Sequence, residues 1–175
     1  GTASMFWVFH VIRDYANTLR SAKSPHVEKL PKLLKQAEAL EAAQNSMPII
    51  YGHHDLLPAN FLDDGEKLWL IDFEYAGFGT AMFDLAGVSS NAMMQHDQRQ
   101  QLLMAYLGAK PDAPFQQSFA AMECASLLRE TLWAMTSSLF LAAPGVDYDA
   151  YTAENMVRYL ATLVTYQKQY GKIAV

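Results

Sequence analysis

Apolar residues recur at intervals of three or four along most of the chain, which places them on one face of an α-helix. The first stretch with this spacing contains Phe6, Phe9, Ile12, Tyr15, Ala16 and Leu19. The pattern predicts helices at residues 5–19, 27–44, 82–94, 98–106, 115–141 and 148–170. Ser4 is the expected N-cap of the first helix, because its hydroxyl can accept a hydrogen bond from a first-turn amide.

Between the second and third predicted helices the pattern changes to short β-prone runs. One run covers residues 49–51, and two more cover residues 61–62 and 68–71. The last two flank Asp63-Asp64-Gly65-Glu66, a sequence typical of a hairpin turn. Two helices, a small β insert and four further helices predict a mostly helical α+β fold.

Composition narrows the class of protein. The chain has 175 residues, 51% of them hydrophobic and 18% charged, which is ordinary for a globular domain. Its net charge of −5 argues against a nucleic-acid partner, and no apolar run is long enough to span a membrane. Cys124 is the only cysteine, which excludes an internal disulfide and a multi-thiolate metal site. We therefore expect a cytoplasmic protein; its oligomeric state is not predicted.

Polar residues concentrate in and around the β insert, between residues 51 and 84. The group comprises His53, His54, Asp55, Asn60, Asp63, Asp64, Asp72, Glu74 and Asp84. Asp72 and Glu74 directly follow a hydrophobic strand, where a carboxylate loses solvation energy unless a partner or a metal compensates. This concentration predicts a functional site.

The spacing within this group matches one chemistry. His53-x-Asp55 is followed by Asn60 five residues after the aspartate, then by a hairpin and Asp72. The catalytic loop of protein kinases has the same order, with a His-Arg-Asp, an Asn and a later Asp-Phe-Gly. There the first aspartate accepts the proton of the substrate hydroxyl, while the asparagine and second aspartate bind Mg²⁺ that bridges the nucleotide phosphates.

The sequence of residues 52–86 resembles that of the choline/ethanolamine kinase family, which belongs with the aminoglycoside phosphotransferases. The resemblance rests on His-His-Asp-Leu-Leu-Pro-Ala-Asn, Asp-Phe-Glu-Tyr and Phe-Asp-Leu-Ala. It implies the C-terminal lobe of a protein-kinase-like fold, with a helical pair at 1–48, the catalytic loop and hairpin at 49–80 and a helical substrate-side subdomain at 81–175. A glycine-rich phosphate loop and a strand lysine are missing, so we expect an absent N-terminal nucleotide lobe and little activity from these residues alone.

The resemblance also implies roles for the polar group. Asp55 is the expected catalytic base, His53 a brace of its loop, and Asp84 a tie between that loop and the following helix. The expected Mg²⁺ ligands are Asn60, Asp72 and Glu74. ATP is the implied co-substrate, and His54 fills a variable position where we expect a plain loop residue.

An amine pocket is implied as well. Tyr75, Trp133 and Tyr148 lie where the family places aromatic walls, and aromatic faces recognise ammonium groups. Glu130 or Glu123 is the candidate acidic partner of the amine. As a departure from the family, Glu130 occupies a position where the family has an aromatic residue. The acceptor implied is a small amino alcohol such as choline or ethanolamine.

Two other functions remain open from the sequence. One keeps the reaction but takes an aminoglycoside or another small molecule as acceptor. The other is a non-catalytic, kinase-like binding module. A transition-metal cluster at His53-His54-Asp55 is disfavoured, because adjacent residues rarely converge on one ion and the chain lacks His-x-x-x-His spacing at this site.

Overall fold

The computed structural model describes residues 4–141 and 143–173. Within these residues it contains the six predicted helices in the predicted order, with shifted ends, and two small sheets. This confirms the mostly helical α+β fold. The helices are α1 (Val8–Ser21), α2 (Leu30–Ala42), α3 (Ala81–Asn91), α4 (His96–Leu107), α5 (Ala113–Phe140) and α6 (Tyr148–Tyr170).

Four short strands form the sheets. They are β1 (Ile49–Gly52), β2 (Phe61–Asp63), β3 (Leu68–Leu70) and β4 (Gly77–Thr80). The predicted hairpin is confirmed: β2 and β3 pair antiparallel with Phe61 opposite Leu70. The other sheet pairs β1 with β4, with Gly52 opposite Gly77. Strand β4 was not predicted, because its sequence Gly-Phe-Gly-Thr lacks the β-branched run that marks a strand.

The start of the first helix differs from the prediction. Helix α1 begins at Val8, and the residues before it extend alongside β4. The Phe6 amide donates to the Phe78 carbonyl at 2.7 Å, and the Phe78 amide donates to the Ser4 carbonyl at 2.9 Å. The prediction of Ser4 as an N-cap is therefore wrong, since its backbone pairs with a strand instead.

The described residues form two compact units. The first comprises residues 4–7 and 45–123 and holds both sheets, α3, α4 and the beginning of α5. Its buried side chains include Met82, Phe83, Leu103 and Met122. The division at 1–48, 49–80 and 81–175 stays a prediction.

The second unit comprises residues 8–44, 124–141 and 143–173, with α1, α2, most of α5 and α6. Helix α1 buries Phe9, Ile12, Ala16 and Leu19, the three- and four-residue spacing that the sequence predicts. In the same unit the buried Tyr159 hydroxyl donates to Oε1 of Gln36 at 2.9 Å, which joins α6 to α2.

Two further sequence expectations concern cysteine and membranes. Cys124 is buried and forms no disulfide. Within the described ranges, no helix is long and apolar enough to cross a membrane.

Candidate active site

A loop that leaves β1 at Gly52 carries the predicted catalytic residues, and Asp84 in the first turn of α3 holds it. Both carboxylate oxygens of Asp84 are used: Oδ2 accepts the His53 amide at 2.8 Å and Oδ1 accepts the His54 amide at 2.7 Å. Hydrogen bonds to a charged acceptor are stronger than neutral ones. The loop therefore has a fixed backbone immediately before Asp55.

The last residue of α3 supplies a second contact to the same loop. Asn91 Nδ2 donates to the Leu56 carbonyl at 3.3 Å. Asp84 and Asn91 thus hold the backbone on both sides of Asp55. The sequence did not assign a role to Asn91.

The ring of His53 connects the loop to the segment after the hairpin. Its Nε2 lies 2.9 Å from the Ile71 carbonyl, and its Nδ1 accepts the Asp55 amide at 3.3 Å. A carbonyl can only accept, so the proton of the neutral ring belongs on Nε2. The Phe73 ring packs edge-on against the same imidazole, with centroids 4.6 Å apart. One buried histidine therefore contacts Asp55 and both neighbours of Asp72.

Asn60 makes a second connection between the same segments. Its Nδ2 donates to the Asp55 carbonyl at 2.8 Å, and its own carbonyl accepts the Ile71 amide at 3.0 Å. Because the amide nitrogen is engaged, the Asn60 side-chain oxygen is the atom that remains for a metal ligand.

Asp72 follows this connection in a left-handed backbone conformation, with φ of +65°. Such conformations are uncommon outside glycine and concentrate at functional sites. The Asp72 side chain is exposed and has no hydrogen-bond or ion-pair partner among the described residues. Its carboxylate is thus available to an external ligand.

The oxygen donors fit Mg²⁺, which takes carboxylate and amide oxygens and completes its shell with water and phosphate. Asn60 and Asp72 supply such oxygens from the two connected segments. In the part of the chain that the structure describes, no three His, Cys, Asp or Glu side chains form a metal-binding group. Asp55, Asp72 and Glu74 are therefore not a three-carboxylate cluster, and Glu74 is an exposed side chain.

His54 is not the plain loop residue that the sequence predicts. It is buried, has φ of +64°, and its Nε2 lies 3.1 Å from the Gly77 carbonyl of β4. Its Nδ1 has no hydrogen-bond partner and lies 3.7 Å from Asp84 Oδ1. Burial lowers the pKa of His54, and the nearby Asp84 carboxylate partly opposes that shift.

Two glycines make room for this ring. A Cβ added to Gly52 or to Gly79 would lie 2.6 or 2.7 Å, respectively, from Cε1 of His54. Both distances are shorter than side chains tolerate, so the two paired strands need glycine at these positions to accommodate the imidazole. Gly79 faces His54 only because β4 pairs with β1, so no local pattern in the sequence indicates this fit.

Three of the predicted amine-pocket residues, Trp133, Tyr148 and Glu130, belong to the second unit. Trp133 of α5 lies 6.2 Å from Tyr148 of α6, centroid to centroid, and also 6.2 Å from Tyr151. The sequence missed Tyr151, although its position one turn after Tyr148 places it on the same helix face. We call Trp133, Tyr148 and Tyr151 the aromatic group. Tyr75 is exposed and belongs to the first unit.

Neither predicted acidic partner of the amine has an uncommitted carboxylate. Glu130 accepts from Arg129 Nη1 at 2.6 Å and from the Tyr151 hydroxyl at 2.9 Å. Burial and the Glu130 carboxylate raise the pKa of Tyr151 to about 12, so this hydroxyl stays protonated and donates. In the first unit, Glu123 accepts from Ser89 at 2.6 Å and from Arg99 at 2.8 Å.

A helical fold with a braced His-x-Asp loop, a hairpin and a following aspartate has the architecture of the C-terminal lobe of kinase-like proteins. A family model for choline/ethanolamine kinase matches residues 2–170. The chain belongs to the choline/ethanolamine kinase family.

Individual relatives agree with this family. A probable ethanolamine kinase of Arabidopsis thaliana is 33% identical over 85 residues, which cover 43% of this chain and 23% of that protein. A choline/ethanolamine kinase family protein of Mesorhizobium loti has a similar structure, with a TM-score of 0.81 and 25% identity over 91% of this chain and 55% of its own. The structure of LicA in complex with AMP has the same fold, with a TM-score of 0.71 and 21% identity over 93% of this chain and 55% of LicA. The chain thus spans little more than half of these structures and less of the curated relative.

Proposed function

We propose that the native protein transfers the γ-phosphoryl group of ATP to the hydroxyl of a small amino alcohol such as choline or ethanolamine. Membership of the choline/ethanolamine kinase family supports the reaction class. The related LicA structure was obtained with AMP, which supports a nucleotide as co-substrate.

The observation that carries the proposal is the double connection between the Asp55 loop and the Asp72 segment. His53 contacts the Asp55 amide, the Ile71 carbonyl and the Phe73 ring, and Asn60 bonds to the backbone of both segments. These contacts fix the backbone of the Asp55 loop relative to the segment that carries Asp72. Phosphoryl transfer depends on such fixed positions for a base and for metal ligands.

In this proposal Asp55 orients the acceptor hydroxyl and takes its proton. The His53 ring and the Asn60 amide fix the Asp55 backbone, so the carboxylate needs little reorganisation when substrate binds. Asn60 and Asp72 would hold Mg²⁺, which when bound neutralises the charge of the transferring phosphate. Glu74 would assist the metal shell from outside any three-carboxylate cluster of the described residues.

The acceptor is proposed from the aromatic group. The Trp133 ring lies 6.2 Å from each of the Tyr148 and Tyr151 rings, and aromatic faces attract a cationic amine. Arg129 already balances the charge of Glu130, so the rings contribute more to recognition than this carboxylate does. Such a site suits one small ammonium better than the several amines of an aminoglycoside.

The test is a coupled ADP assay of the native protein with choline, ethanolamine, thiamine and kanamycin. We expect turnover with choline or ethanolamine that Asp55→Asn abolishes while binding of Mg²⁺–ATP survives. Asp63→Asn is the matched control, because Asp63 is the exposed last residue of β2. Near-normal activity of Asp55→Asn would disprove the assignment of the base, and preference for kanamycin would disprove the acceptor.

A further inference from the structure

Helix α6 exposes its aliphatic side chains to solvent. Its buried positions are mostly polar or aromatic and comprise Thr152, Asn155, Tyr159, Leu163 and Tyr166. On the opposite side of the helix, Val157, Leu160 and Val164 are 67%, 43% and 49% exposed. A helix of a globular domain ordinarily packs its apolar face against the core. The reversed arrangement in α6 therefore indicates a surface that a partner covers.

The exposed apolar positions have the spacing of a helix–helix contact. We call Val157, Leu160, Ala161 and Val164 the α6 stripe. Val157, Ala161 and Val164 follow one another at intervals of four and three residues, the period with which one helix packs along another. Ala161 is exposed at the centre, and its small side chain lets a second helix approach closely. This alignment distinguishes the stripe from scattered surface apolar residues, which are common and need no partner.

Opposite charges at the two ends of the stripe select the orientation of a partner helix. Glu154 and Lys168 are exposed, continue the same spacing, and lie seven positions before and after Ala161. Seven residues span about 10 Å of helix. Around a two-fold axis beside Ala161, an antiparallel second copy of α6 therefore places Glu154 opposite the partner's Lys168. The same arrangement places Val157 beside the partner's Val164, whereas a parallel one would place like charges together.

We propose that the α6 stripe binds a second copy of this chain through an antiparallel, two-fold symmetric pairing of the two α6 helices. Such an interface is self-complementary, because the same surface of each copy supplies half of the apolar centre and one partner of each ion pair. Exposed ion pairs add little affinity but specify orientation. One helix face is a small interface, so we expect a reversible dimer with a dissociation constant of about 10–100 μM.

Sedimentation velocity of the native protein, at concentrations that bracket this range, tests the dimer. We expect the sedimentation coefficient to rise with concentration, and Val164→Arg to weaken the association at least about tenfold by placing a charge in the apolar centre. Met104→Arg, at an exposed apolar position of α4, is the matched control and should leave the association unchanged. A monomer at every concentration, including one in which another segment of the native protein covers the stripe, would overturn the proposal. A dimer that survives Val164→Arg would overturn it as well.

Charge reversal tests the orientation of the two helices. Glu154→Lys or Lys168→Glu alone puts like charges at both ends of an antiparallel pair, and we expect each to weaken the association about fivefold. The double variant restores opposite charges and should associate within about twofold of the wild type. Circular dichroism checks that each variant keeps its helices. Weaker association of the double variant than of either single one would disprove the antiparallel pairing.

Discussion

The imidazole ring of His54 stacks on the phenyl ring of Phe6, with centroids 4.4 Å apart and planes inclined by 12°. Phe6 precedes the first helix, and His54 precedes the proposed catalytic base. The Phe6 ring also lies 4.7 Å from the ring of Phe83 in α3. The segment before α1 is therefore part of the support of the catalytic loop.

Removal of the Phe6 ring tests this support. Phe6→Ala should lower the free energy of unfolding by about 2 kcal/mol, less than for a fully buried phenylalanine because Phe6 is half-buried. Urea unfolding followed by circular dichroism measures the change. Phe140→Ala, at an exposed position, is the control and should cost less than about 0.5 kcal/mol. Equal effects of the two substitutions would contradict the packing role.

His54 should make stability depend on pH. Its pKa in the folded state lies below the ordinary histidine value of 6.5 because the ring is buried, so on acidification the unfolded chain takes up the proton first. The contribution of the neutral His54 ring to the free energy of unfolding is fully present above about pH 6.5. It is lost as the pH falls through the pKa of His54 in the folded state. We expect the free energy of unfolding to fall more steeply between about pH 7.5 and pH 5.5 in the wild type than in His54→Asn. Asparagine tolerates the left-handed backbone at this position. Parallel slopes would show that His54 is not the titrating group.

Asp84→Asn should destabilise the loop strongly. The substitution replaces one of the two acceptor oxygens with an NH₂ donor that faces a backbone amide. We therefore expect the free energy of unfolding to fall by about 3 kcal/mol. Asp112→Asn is the matched control, because Asp112 accepts one amide, that of Phe115 at 2.8 Å, at an exposed position. Its expected cost is below about 1 kcal/mol. Comparable unfolding midpoints for the two variants would argue against the Asp84 tie.

Trp133 should influence binding of the amine rather than the chemical step. Loss of a cation–π contact of about 1–2 kcal/mol predicts that Trp133→Leu raises the KM for choline about tenfold, with little change in kcat. Trp133→Phe keeps an aromatic face and should retain most of the affinity. Steady-state kinetics with varied choline measures both constants. A KM unaffected by Trp133→Leu would remove Trp133 from the proposed pocket.

The helices were predictable because local spacing encodes them. Residues 148–170 were predicted to form a helix, and α6 has these bounds. Four of the predicted apolar positions, Phe9, Ile12, Ala16 and Leu19, are buried in α1, whereas Phe6 lies before its start and Tyr15 is only partly buried. The backbone of Ser4 and Phe6 forms hydrogen bonds with Phe78, which keeps these residues out of the helix. Phe78 is more than seventy positions away in the chain, and no local pattern indicates such a contact.

The proposed site was only partly predictable for the same reason. The spacing of Asp55, Asn60 and Asp72 is the one that phosphoryl transfer requires, so the sequence alone nominates these residues, and their roles stay predictions. The burial of His54 depends on glycines that face it from two strands, and Tyr151 on the packing of α6 against Trp133. These are tertiary relationships, which a single sequence does not display.

The buried position of Cys124 has a practical consequence. Its exposure is 0%, and it is the only thiol in the sequence. A cysteine introduced at Glu66, in the exposed turn between β2 and β3, would therefore be the readily alkylated position of the folded chain. A fluorophore attached there would report on the hairpin beside Asp72 without prior removal of Cys124.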